Sequence, residues 1–169
     1  MRRAGLGVVT AVSVVLGLSA GCSLPFGPDD RSTTVHTDAQ GNEKHVDEGP
    51  RDDASALAKM LPALGDPTSA TWYTGTIGAS DDRVPGPSLR WYDAVVELES
   101  ETAQRLREET DPAPATGSLG VIPEVAPQQE DGPFVAGKDL NEALSTPGLR
   151  VYAWLASDGE TLVLTALPT

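Results

Sequence analysis

Residues 149–167 read LRVYAWLASDGETLVLTAL. In the first half, Leu149, Val151 and Leu155 lie on one face of an extended chain, against Tyr152 and Trp154 on the other. A strand that is apolar on both faces belongs in the middle of a sheet. Asp158-Gly159 is a dipeptide favoured by type I′ turns. Residues 161–167 return as the partner strand, so the chain ends in a β-hairpin whose register the turn fixes.

The rest of the fold is read outward from this hairpin. Just before it, Asp139 and Glu142 have capping-box spacing and open a short helix carrying Leu140, Ala143 and Leu144. Pro147-Gly148 stops that helix. Residues 111–137 hold five Pro and four Gly, which predicts a long surface loop with at most a short strand at 119–122. Ser100 reads as the N-cap of a helix that turns Leu106 inward and ends by Asp111, because Pro112 disfavours a helical residue before it. Residues 89–99 alternate. Tyr92, Ala94, Val96 and Leu98 share one face, with Asp93, Glu97 and Glu99 on a second, solvated face that also carries Trp91 and Val95. Their partner strand is 69–78, across the polar connection ASDDRVPGPS. Leu57, Met60, Leu61 and Leu64 recur at helical spacing, capped by Asp52 or Asp53 and cut short at Pro62. The order α, β, β, α, loop, α, β, β predicts an α+β domain over residues 54–169. Its antiparallel sheet has four to five strands, with helices on one face.

The N-terminus is of a different kind. Met1-Arg2-Arg3 precedes thirteen uncharged residues, LGVVTAVSVVLGL, and then the small residues Ser19-Ala20-Gly21. That order is a secretory signal, too short to span a bilayer comfortably. Residues 18–22, LSAGC, resemble a bacterial lipobox, with Ser19 where the pattern carries Leu. The resemblance implies cleavage between Gly21 and Cys22, a diacylglyceryl thioether on Cys22, and stable anchoring by two acyl chains. Arg outnumbers Lys nine to three, and Ala, Gly and Pro abound. In this the chain resembles the short lipoproteins of GC-rich actinobacteria, a group with no assigned activity; RVPGPS at 83–88 is a fainter echo of them. Residues 22–53 are polar and acidic with few large apolar side chains, which predicts a disordered tether.

Composition excludes several functions. Twelve basic side chains against 25 acidic give a net charge of −13, unsuited to nucleic acid. A single Cys excludes an internal disulfide and Cys-based zinc. Residues 54–169 contain no His and no Cys, so a Ser-His-Asp or Cys-His arrangement has no parts there. Asp81 and Asp82 lack any calcium-loop spacing. His36 and His45, nine residues apart in the tether, make a poor metal pair, since such sites need three or four ligands. No cofactor or metal site is expected. Asp93, Glu97 and Glu99 are the carboxylates a glycan hydrolase would need, and they read more simply as a solvated strand face. Six of the eight aromatic residues lie in predicted strands as close pairs. Each pair is expected to place one ring on each sheet face, as core or as an open platform. The expectation is a lipid-anchored protein on the outer face of the cytoplasmic membrane. It is read as a non-enzymatic binding or envelope-associated module with a cell-envelope protein or glycan as partner. The alternative is a carboxylate-based cell-wall glycan hydrolase.

Overall fold

The computed structural model describes residues 34–37, 43–77, 89–126 and 133–169. The signal segment, Gly21, Cys22, Asp81, Asp82 and the 83–88 phrase lie outside them. In chain order the elements are β1 (Val35–Thr37), β2 (Glu43–Val46), α1 (Ala54–Met60), β3 (Ser69–Ile77) and β4 (Leu89–Glu97). There follow α2 (Ser100–Thr110), β5 (Ala113–Pro114), β6 (Phe134–Ala136), α3 (Lys138–Leu144), β7 (Leu149–Ala156) and β8 (Thr161–Pro168). The eight strands among the described residues join one sheet, ordered β1-β2-β3-β4-β8-β7-β6-β5, every neighbour antiparallel. The order is palindromic about the β4–β8 seam. One unit of two strands, a helix and two strands occurs twice, as β1-β2-α1-β3-β4 and β5-β6-α3-β7-β8, with α2 joining the two.

The three helices among the described residues pack on one face, as the apolar spacing predicts. Leu57 and Leu61 from the first segment, Leu106 from α2, and Leu140 and Leu144 from α3 are buried against Trp72, Val96, Val151, Leu155 and Leu164. Asp53 caps α1, its carboxylate accepting from the Ala56 amide at 3.0 Å. Pro62 ends the α-helix and opens a 3-10 turn that carries Leu64 into the core. Helix α3 also closes a sheet edge. Beside the short β6, the β7 amides of Val151 and Ala153 donate to Ser145 Oγ and Asn141 Oδ1, each at 2.9 Å. An open edge is thereby covered by helix side chains.

Several expectations are corrected. The sheet has eight strands rather than four to five, because strands of two to four residues flank the predicted ones. Two of the extra strands, β1 and β2, come from the stretch read as a tether, and Lys44 within it is 1% exposed. The folded part therefore begins before Asp53 and does contain histidine. The acidic face of β4 is not solvated. Residues of the 111–137 loop cover it, and Ile122 and Val125 pack on Trp91, Val95 and Val163. Neither Asp158 nor Gly159 has a positive φ, so no type I′ turn forms. The hairpin closes through a wider bend at 157–160, where the Arg107 guanidinium donates to the Ala156 and Gly159 carbonyls. The C-terminal hairpin does supply interior strands, β8 at the centre beside β4 and β7 between β8 and β6, although Tyr152 of β7 is exposed rather than buried. Glu99 and Gly137, not Ser100 and Asp139, hold the N-cap positions of α2 and α3.

Candidate functional site

The second sheet face holds the one buried ion pair among the described residues. In β2, Glu43 is exposed and Lys44 turns inward. Its Nζ donates to both Asp93 carboxylate oxygens, at 2.8 and 2.9 Å, and to Thr165 Oγ1 at 3.0 Å; the Gly120 carbonyl lies at 3.5 Å. Asp93 and Thr165 are cross-strand neighbours on β4 and β8, so they share a face. The Ile122 amide donates to Asp93 Oδ2 at 2.8 Å. Lys44 Nζ also stands 5.1 Å from the Trp91 ring centre, an added cation–π attraction. Burial pushes the Asp93 carboxyl up from its ordinary value, against the downward pull of the Lys44 ammonium. The Lys44 ammonium and both Asp93 carboxylate oxygens have partners, so this pair acts as a structural tie between β2, β4 and β8.

A cleft of about 330 Å³ opens above the tie, between His36, Thr37 and Lys44 on one side and residues 118–123 on the other. His36 lies opposite Lys44 in the β1–β2 ladder and so faces the cleft. Its Nε2 is bonded to Glu124 Oε1 at 3.0 Å, linking β1 to the covering segment. Glu124 Oε2 is buried without a partner. Ser118 shares the cleft, but no hydrogen bond joins it to His36 among the described residues, so no nucleophile–base pair is assembled. His45, next to Lys44 in sequence, points to the opposite face, so the two histidines cannot ligate one ion.

The three candidate strand carboxylates are not brought together. Asp93 is consumed by Lys44, and Glu97 accepts the Thr161 hydroxyl at 2.8 Å. Their backbones stand four strand positions apart, about 13 Å, against the 5–10 Å between the carboxyls of a glycosidase pair. Glu99 is exposed beyond the strand end. The aromatic pairs divide as expected at two places: Trp72 is buried under the helices with Tyr92 6.2 Å away, and Trp91 is buried under the loop segment. Tyr152 and Trp154, two residues apart, share the loop face instead. There Trp154 is half-buried beside Gly120, and Tyr152 is 36% exposed. This is no row of exposed rings.

Lys44 carries no site signature in the sequence. Its only local signal is a lone Lys between Glu43 and His45, indistinguishable from a solvated side chain, and its partner lies 49 residues away. Comparison with protein-family models, with curated proteins and with solved structures finds no match for the chain.

Proposed function

We propose that this chain is a lipid-anchored extracytoplasmic protein that works by binding rather than by catalysis. Cys22 carries the lipid after cleavage behind Gly21, which holds the protein on the outer face of the cytoplasmic membrane. A cell-envelope protein or glycan is the partner, and nucleic acid is not, given the net charge of −13. The observation that carries the binding half is the cleft at His36, Thr37 and residues 118–123, with polar walls over a floor whose charges are already matched. Such a floor orients a ligand by shape and neutral hydrogen bonds.

A photo-crosslinking residue at Ser118 in intact cells tests the reading. It should capture a defined envelope component, and the same residue at Lys59, on α1, should not. Cys22→Ala should shift the chain out of the membrane fraction and abolish the capture. Equal capture from both positions, or release of glycan fragments by the purified chain, would contradict the proposal.

A further inference from the structure

The edge of β3 is filled by the chain's own Glu43–Val46, and the filling shows what the edge accepts. Lys44, His45 and Val46 stand opposite Ile77, Thr76 and Gly75. The Asp47 amide continues the ladder to the Thr74 carbonyl at 3.2 Å. Gly75 is a notch: a methyl there would collide with the His45 carbonyl, and it would crowd the Trp91 ring at 3.0 Å. Below the edge lies a socket built for an ammonium, from the Asp93 carboxylate, Thr165 Oγ1, the Gly120 carbonyl and the Trp91 face. The socket comes from β4, β8 and the covering segment, so it belongs to the body of the domain and not to the strand that fills it.

The occupant is a short strand. Only three residues of β2 pair with β3, and Val46 is only partly buried. Its one fully buried side chain is a cation, so a segment that takes its place must bring an ammonium of its own to Asp93.

We propose that the β3 edge and the Asp93 socket form a strand-accepting groove that selects a lysine in an extended peptide segment, and that Glu43–Val46 is its built-in occupant. The partner is a protein segment that adds as a strand at the edge, with main-chain bonds giving affinity and the ammonium socket giving specificity. This rests on the binding reading above and names the chemistry of the partner.

The probe is a fluorescent peptide of residues 42–48, Asn-Glu-Lys-His-Val-Asp-Glu, against the full chain carrying Lys44→Glu. That change sets two carboxylates against each other and expels the native occupant. The variant should bind the peptide at least about tenfold more tightly than the wild type does, because its groove is vacant, and about tenfold more tightly than the same peptide with norleucine for lysine. Adding Gly75→Ala should abolish binding. If circular dichroism shows Lys44→Glu unfolded, Lys44→Ala takes its place with the same expectations. Equal affinity for the lysine and norleucine peptides overturns the proposal. So does binding that survives Gly75→Ala, and so does a folded variant that ignores the peptide. Each of these leaves capture at Ser118 unaffected, so the groove and the binding reading fail separately.

Discussion

Lys44 and Asp93 bury opposite charges with side-chain exposures of 2% and 0%, so each depends on the other. Removing one strands the other charge, at a cost of about 3–5 kcal/mol; replacing both with apolar side chains of similar volume is close to neutral. Lys44→Ala should therefore lower the urea midpoint strongly, and Lys44→Met with Asp93→Leu should recover most of the loss. Equal losses in the single and the double variant would mean that the pair is not the tie described. The upward shift of Asp93 gives a pH signature. A carboxyl raised above its ordinary value of 3.8 stabilises the fold while it holds its proton, and that contribution is lost as pH rises through the raised value. Asp53, lowered by its Ser55 and Ala56 hydrogen bonds, acts in the opposite sense as pH falls. Melting temperature against pH for wild type and Asp93→Asn isolates the first effect. The wild-type curve should fall more steeply just above pH 3.8, and parallel curves would refute it. None of this was legible at Lys44, because no periodicity connects a lone Lys in an acidic run to an Asp 49 residues on.

Elements with a long period were legible, and short ones were not. The first helix, the β3–β4 pair and the C-terminal hairpin each carry a run of apolar residues at spacing 3.6 or 2, which local sterics translate directly into structure. Strands β1, β2, β5 and β6 have two to four residues, too few to show an alternation. They exist because longer neighbours offer them an edge. The Asp158-Gly159 signal was overridden by a tertiary contact, the Arg107 guanidinium on the 157–160 bend. Trp154 shows the same limit. Its strand is legible in the sequence, but its burial depends on Gly120 in a loop with no periodic signal. Because the ring is half-buried, Trp154→Ala should cost about 2 kcal/mol, less than the 3–5 of a fully enclosed ring. A thermal or urea melt checks this, and an unchanged midpoint would mean the indole packs on nothing.

At the scale of the whole molecule, the two five-element units meet at β4–β8, and the sheet is covered on both sides, by helices on one and by the 118–126 segment on the other. The N-terminal hairpin is part of that body and forms one wall of the cleft, although its composition is that of a tether. Its membership rests on the burial of Lys44. Trypsin cuts after lysine, and an extended, accessible backbone is cut readily. The most direct measurement is therefore the rate of tryptic cleavage of the Lys44–His45 bond in the native full chain, compared with the same bond in the free 42–48 peptide. If the hairpin is docked as described, the bond in the protein should be cut about a hundredfold more slowly than in the peptide. Cleavage at the rate of the free peptide would return residues 43–46 to the tether and contradict the account.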